Sequence, residues 1–228
     1  LAGGEGTRLS PLTKITSKQL LPVYDKPMVF YPLETLLRAG IDEVLFIIAP
    51  DHAGDFLKLL GSGRQFGAKF TYEIQDKPEG LAQAFIIGED FIGDDSVALI
   101  LGDNIFENNF SRAVKNFRKG GHIFAKKVTD PGRFGVVKFE PGKNPKAIRI
   151  EEKPKEFISP YAITGLYLYD NRVVKIAKNL KPSARGELEI TDVHNLYIKE
   201  GKLSWAEVKG FWSDAGTFDS LLQTANWI

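Results

Sequence analysis

The sequence of 228 residues contains no cysteine. That excludes disulfides, iron–sulfur clusters and thiolate zinc sites, and it suits a reducing, cytoplasmic setting. There is also almost no net charge: 30 basic residues against 29 acidic ones leave +1. No basic tail or stripe is present, so nucleic acid and anionic membrane surfaces are not expected partners. No apolar run is long enough to span a bilayer, and nothing resembles a signal peptide. Internal repeats and low-complexity stretches are missing too. The histidines, His52, His122 and His194, are scattered without ligand spacing and read as structural or exposed. A Ser-His-Asp arrangement cannot be built from sequence order alone. With charge balanced, lysine and arginine matter one at a time, by position.

What is present begins at the first residues, Leu1-Ala2-Gly3-Gly4-Glu5-Gly6-Thr7-Arg8-Leu9. Two apolar residues run into closely spaced glycines, then a hydroxyl, then a guanidinium. Adjacent glycines expose a row of backbone N–H donors, a cradle suited to phosphate. Arg8 adds a permanent charge with fork geometry for phosphate oxygens. The stretch fits neither common glycine template. A Walker A loop needs Gly-Lys before Ser or Thr, and the dinucleotide fingerprint needs glycine where Leu9 stands. Taken alone it fits a nucleoside-triphosphate loop or a plain turn between strand and helix.

The following segment, Ser10 to Asp25, reads as an irregular loop broken by Pro11 and Pro22, and it carries Lys14, Lys18 and Gln19. Then the alternation becomes regular. A helix is expected over Met28–Ala39, ended by Gly40. Glu43–Ile48 and Phe70–Ile74 read as strands with a short helix over Asp55–Leu60 between them. Strand, helix, strand at these lengths is the α/β pattern with a parallel sheet. Leu81–Phe91 reads as one helix, and Val97–Leu101 as a buried strand closed by Gly102-Asp103-Asn104.

Beyond Ser111 the texture changes. A short helix over Ser111–Lys119 precedes strands at His122–Val128, Arg133–Phe139 and Lys146–Ile150, the last two joined by the turn Pro141–Asn144. Shorter strands with tight turns point to an antiparallel or mixed extension. Tyr161–Asp170 is a further strand, a helix runs to about Glu200, and Thr217–Asn226 reads as the last helix. The fold class is therefore α/β: a Rossmann-like three-layer arrangement with a mostly parallel central sheet and a smaller antiparallel extension. It forms one domain, with a first half over 1–120 and a second over 121–228.

Two placements carry chemistry. An acidic residue such as Asp103, at the carboxyl end of a buried strand, lies where open α/β sheets bind ligands, although a lone Asp there also serves as a helix cap. Read with Asp214, in Phe211–Thr217, it supplies a second carboxylate. Two carboxylates near phosphates repel them by about 4 kcal/mol per contact at ~4 Å and an effective dielectric near 20. A divalent cation between them relieves this, and oxygen ligands with phosphate oxygens favour magnesium. The second placement is Glu151-Glu152-Lys153-Pro154, where proline stops a strand and presents Glu152 and Lys153 at its end. Alone, this also fits an exposed charge cluster.

Gly-Gly-x-Gly-Thr-Arg-Leu followed by Lys18-Gln19-Leu20-Leu21-Pro22 resembles the signature of the sugar-1-phosphate nucleotidyltransferases. The likeness continues in family order through Gln75–Ala84, Gly102-Asp103-Asn104, Glu151–Pro154 and Trp212–Thr217, so it spans essentially the whole chain. Pro78-Glu79-Gly80-Leu81-Ala82-Gln83-Ala84 is similar to the branch that uses dTTP. The resemblance implies transfer of a thymidylyl group to α-D-glucose 1-phosphate, with UTP or another sugar phosphate as the alternative within the family. A non-catalytic nucleotide-sugar sensor is the alternative outside it.

For the site, the resemblance implies that Gly3, Gly4, Gly6 and Thr7 hold the triphosphate with Arg8 and Lys18 as catalytic cations. Gln75, Pro78 and Gly80 would take the base. Glutamine suits an imide edge because it offers donor and acceptor together. Asp103 and Asp214 would hold Mg2+. Gly135, Glu152, Lys153, Thr164, Tyr167 and Arg185 would take the sugar and its phosphate, with Glu187 either orienting pocket groups or opening the following helix. Bacterial members begin with apolar residues that form a first strand, so this chain is read as starting in mid-strand. They also continue past the equivalent of Ile228 into helices that form a regulatory site and subunit contacts; the resemblance as a whole implies a homo-oligomer, dimer or tetramer.

Overall fold

A computed structural model describes residues 1–4, 6–143 and 145–228. Glu5 of the glycine stretch and Asn144 of the expected turn lie outside the described residues. In chain order the elements are β1 (Pro22–Val23), β2 (Lys26–Pro27), α1 (Phe30–Arg38), β3 (Glu43–Ile48), α2 (Ala53–Leu60), β4 (Lys69–Ile74), α3 (Gln83–Ile87), α4 (Glu89–Ile92), β5 (Val97–Ile100), β6 (Asn104–Phe106) and α5 (Ser111–Asn116). They continue with β7 (Gly121–Lys127), β8 (Gly135–Phe139), β9 (Ala147–Glu152), β10 (Tyr161–Tyr169), α6 (Arg172–Lys178), α7 (Ile190–Lys199), β11 (Leu203–Glu207), β12 (Trp212–Asp214) and α8 (Phe218–Trp227).

The chain forms two compact units. The first comprises Leu1–Pro78, Ile100–Asn116 and Gly210–Ile228. Here β3 and β4 pair in parallel from Glu43↔Lys69 to Ile48↔Ile74, as the apolar run Val44–Ile48 demands. The first residues join this layer. Ala2 bridges Ile48 in parallel and donates its N–H to Ile47 O at 2.8 Å. On its other side Leu1 O accepts from Gly102 N at 2.9 Å. The glycine loop thus leaves the sheet between the end of β3 at Ile48 and Gly102, next to Asp103. α1 buries Tyr31, Pro32, Leu33, Thr35 and Leu36, and Gly40, at φ 87°, stops it where a side chain would be strained. α8 starts from a capping box, with Thr217 and Ser220 each bonding the other's backbone N–H. Val23, Met28, Tyr31, Ile105 and Ala215 close one core, and Leu221 and Ala225 of α8 pack against it. Burying each large side chain of this set contributes about 1.5–3 kcal/mol. That core seats the antiparallel pair β6–β12, whose register sets Asp214 opposite Asn104.

The second unit comprises Glu79–Leu99 and Phe117–Lys209. Its sheet runs β11-β7-β10-β8-β9, with β5 also paired to β10. β10 is antiparallel to β7 and β8, β8 is antiparallel to β9, and β11 lies parallel to β7. The expected antiparallel texture is present here. β10 is buried almost throughout, and α7 packs its Ile190, Val193, His194 and Tyr197 inward. Tyr169 stacks on Tyr197 at 5.7 Å and on His194 at 5.9 Å between ring centres.

Some local expectations are corrected. The helix expected over Leu81–Phe91 is two short helices, α3 and α4, parted at Gly88, a residue with poor helix propensity. The expected loop over Ser10–Asp25 contains single 3₁₀ turns at Leu12–Lys14 and Lys18–Leu20, after one at Thr7–Leu9, and the pair β1–β2 follows. Asp103 caps no helix, because β6 follows it directly. Glu187 opens no helix, because α7 begins at Ile190.

Candidate active site

In the first unit the glycine loop turns at Gly6, which sits at φ 63° and is followed by the 3₁₀ turn Thr7–Leu9. Thr13 Oγ1 donates to Gly6 O at 3.0 Å and ties the loop to the next turn. Gly3 is required for a different reason. A Cβ there would collide with the Gln75 side-chain amide. Gln75 itself is buried, held through its backbone N–H to Ile48 O at 2.8 Å. Arg8 is exposed and makes no hydrogen bond or ion pair among the described residues. Its Nη2 comes within 2.8 Å of the Cβ position of Gly216, and Asp103 Oδ2 lies 3.8 Å from that same point. Glycine at 216 therefore leaves open the space beside the guanidinium that a side chain would fill.

Asp103 is the most strongly held of these groups. Lys18 Nζ donates to its Oδ2 at 2.5 Å, and Asn104 Nδ2 donates to its Oδ1 at 2.8 Å. Asn104 is fixed in turn by the indole N–H of Trp212 on β12, 2.7 Å from its Oδ1. Burial pushes the Asp103 carboxyl up, but Lys18, Asn104 and a backbone N–H outweigh it and leave it below the ordinary carboxylate range. The group is an anion with three donors shared between its two oxygens. Since each carboxylate oxygen has two acceptor positions, room remains for a cation. In the ladder Asp214 faces Asn104, and it is Ala215, the next residue, that reaches the backbone of Asp103, its N–H donating to Asp103 O at 2.9 Å. Among the described residues no group of three or more His, Cys, Asp or Glu side chains is placed to hold a metal.

In the second unit β9 ends at Glu152, and Lys153 takes the left-handed conformation at φ 43°, a costly one for lysine, before Pro154. Gly135 faces Glu152 across the β8–β9 ladder, and a Cβ at Gly135 would lie 3.3 Å from Glu152 Oε2 and 3.1 Å from Thr191 Cγ2. The absent side chain leaves the carboxylate a pocket. Burial raises the Glu152 carboxyl; Lys153 and Arg185 lower it, while Glu189 and Glu187 raise it further. Lys153 Nζ is 3.8 Å from Glu152 Oε1, and Arg185 Nη2 is also 3.8 Å from it. The resemblance did not point to Glu189. It is buried and accepts from Arg185 Nη2 at 2.8 and 2.9 Å and from Arg185 Nε at 3.2 Å. The spacing of Arg185 and Glu189 is a signal normally read only on helices, and these residues precede one.

Other expected residues have structural employment. Thr164 is fully buried and its hydroxyl donates to Phe124 O at 2.9 Å. Tyr167 is buried beside His194, with ring centres 5.2 Å apart. Gly80, at φ 110°, has the backbone of Leu188 where its Cβ would be. That packing alone requires glycine there. Pro78 ends the first unit and Gly80 belongs to the second. Two of the histidines are structural: His194 Nε2 bonds the Tyr169 hydroxyl at 2.5 Å in the core, and His122 Nδ1 bonds Ser204 Oγ at 2.8 Å.

The glycine turn, the exposed guanidinium of Arg8 and the Lys18–Asp103 pair all belong to the first unit. The chain belongs to the nucleotidyl transferase family, whose sequence pattern matches residues 1–228. Among individual relatives, a protein of Neisseria meningitidis named glucose-1-phosphate thymidylyltransferase is 53% identical, covering 100% of this chain and 81% of the relative. One of the same name from Mycolicibacterium smegmatis is also 53% identical, covering 100% and 80%. In structure, a Bacillus anthracis chain described as a candidate glucose-1-phosphate thymidylyltransferase, solved with a sucrose, matches with a TM-score of 0.93 and 47% identity over 99% of this chain and 92% of that one. A UDP-glucose pyrophosphorylase with UDP-glucose matches with a TM-score of 0.87 at 24% identity, a likeness of fold.

Proposed function

We propose that this chain transfers a thymidylyl group from dTTP to α-D-glucose 1-phosphate, giving dTDP-glucose and pyrophosphate. The observation that carries the substrates is the 53% identity, over the whole of this chain, to a relative bearing that activity in its name. We place the reaction at the entry to dTDP-L-rhamnose and related deoxysugar synthesis, in the cytoplasm, in a dimer or tetramer.

No protein nucleophile is needed. The sugar phosphate is already an anion and attacks the α-phosphorus in line as pyrophosphate leaves. The protein's task is positioning and charge neutralisation. In the first unit the N–H groups of Gly3, Gly4, Gly6 and Thr7 cradle the triphosphate. Arg8, with no partner among the described residues, neutralises the phosphate chain and the departing pyrophosphate, with Lys18 assisting. Gln75 and Pro78 are the proposed base contacts of the first unit, and Gly80 is one of the second. There too, Lys153 and Arg185 aim the attacking phosphate, Glu152 accepts sugar hydroxyls, and Gly135, Thr164 and Tyr167 shape the pocket. Asp103 and Asp214 hold a divalent cation, taken as magnesium, which supplies further charge neutralisation at phosphate oxygens when bound.

The test is a panel of dTTP, UTP and other nucleotides against several sugar 1-phosphates, read by pyrophosphate release. The expected result is dTTP with glucose 1-phosphate preferred. One methyl separates thymine from uracil, so the margin over UTP is about 10–200-fold at most. Tight binding of nucleotide sugar with no turnover would overturn the reading in favour of a sensor.

A further inference from the structure

We infer that Glu189 is a positioning residue that locks the Arg185 guanidinium in the orientation needed to receive the phosphate of the sugar substrate. The inference rests on the function proposed above.

Glu189 has a side chain 10% exposed, whereas Arg185 is 40% exposed. Such a buried carboxylate persists only when it is paired. Its partners are Ser183 Oγ at 2.6 Å and the Nε and Nη2 groups of Arg185. The loop is wound about this carboxylate. Ser183 N donates to Glu187 O at 2.9 Å, Gly186 N to Ser183 O at 2.8 Å, and Gly186 turns the chain at φ 77°. Glu189 itself sits at the N-cap of α7 and so cannot drift.

The arrangement is directional. One edge of the guanidinium, Nε and Nη2, faces Glu189, with Glu187 Oε2 3.4 Å and Glu152 Oε1 3.8 Å from Nη2. Nη1 makes no hydrogen bond among the described residues. A planar fork fixed on one side presents its remaining donors at a set angle. Lys153 has only the loose 3.8 Å contact with Glu152 in the described structure. Two cations with unused donors therefore stand around Glu152, and Glu189 is the group that orients one of them. Without it Arg185 would turn toward Glu152 or Glu187 and spend its charge there.

The experiment compares steady-state kinetics of wild type, E189Q, E189D and R185A. E189Q keeps an acceptor for Ser183 and loses the charged fork. The expected result is a KM for glucose 1-phosphate raised at least tenfold in E189Q, a KM for dTTP changed less than twofold, and a thermal midpoint close to wild type. E189D retains the charge and should recover part of the loss. Equal rises in both KM values, or an unchanged sugar-phosphate KM in E189Q while R185A shows a large one, would overturn the inference. If R185A also leaves that KM unchanged, it is the assignment of Arg185 to the sugar phosphate that falls.

Discussion

Lys18 and Asp103, 85 positions apart, form an ion pair of 2.5 Å with side chains only 11% and 15% exposed. The amine from the loop after the glycine turn lies on the carboxylate that follows Ile100–Gly102, so the pair ties two stretches of the first unit together. Removing one member leaves a buried charge uncompensated, at a cost of about 3–5 kcal/mol. Lys18→Met should therefore unfold at markedly lower urea, and Lys18→Met with Asp103→Asn should recover most of the loss. The acid limb follows from the same pair. Asp103 has its folded pKa below the unfolded value, so its contribution is present above about pH 4 and fades as pH falls through the folded value. Urea titrations of the wild type, Lys18→Met and the double variant check both statements.

Arg8 is the opposite case. Exposed, with no partner among the described residues, it contributes little to stability. Arg8→Ala should change unfolding free energy by less than about 0.5 kcal/mol. Turnover should fall by about 10²-fold or more, the scale for losing a charge-stabilising donor. Parallel calorimetry and pyrophosphate-release assays check the contrast. Turnover near wild type would remove Arg8 from the mechanism.

Much of this was legible in the sequence where one physical signal dominated. The apolar run Val44–Ile48 gave the strand at 43–48 to the residue, and the proline after Lys153 gave the end of β9. Glycine signals mark positions in the sequence without showing every contact made there. Gly80 was expected to admit a base, and its Cβ position is filled by Leu188 backbone, 108 positions later in the chain. A contact that distant leaves no local pattern. The same holds for Trp212 bracing Asn104, and for Thr164, whose hydroxyl donates to Phe124 O. The Glu189 fork was missed because residues four apart are read as partners only on helices, and here a turn at Gly186 brings them together.

Stability should also fall on mild acidification. Burial lowers the pKa of His122 to about 4 and of His194 to about 3, from 6.5. With folded values below the unfolded one, the unfolded chain takes up protons first. Their contribution is complete above about pH 6.5 and is lost as pH falls toward those folded values. Each histidine should cost about 1.4 kcal/mol per pH unit once well below 6.5. Unfolding free energy measured from pH 7 to 5 should show this slope, and His122→Gln should reduce it by about half.

Chelation tests the paired aspartates. EDTA should abolish turnover of the wild type, and magnesium should restore it. Asp214→Asn should fold, because Asp214 lies at the end of a strand pair already anchored by the Trp212–Asn104 hydrogen bond. Its half-activating magnesium concentration should rise about tenfold or more, the scale seen when a cation site loses a supporting group. An Asp214→Asn enzyme with an unchanged magnesium profile would take Asp214 out of the site.

Gly80→Ala separates packing from recognition. The new Cβ would sit 2.5 Å from both N and O of Leu188, on a backbone held at φ 110°. Neither relaxes cheaply, because Leu188 N donates to Glu79 O at 2.7 Å and Leu188 O accepts from Ala82 N at 3.1 Å. Left-handed strain alone costs about 1–3 kcal/mol, and the steric conflict adds to it. The variant should lose at least that much in a denaturant titration carried out with no nucleotide present. If stability is unchanged and only the KM for dTTP rises, the glycine serves the base and not the fold.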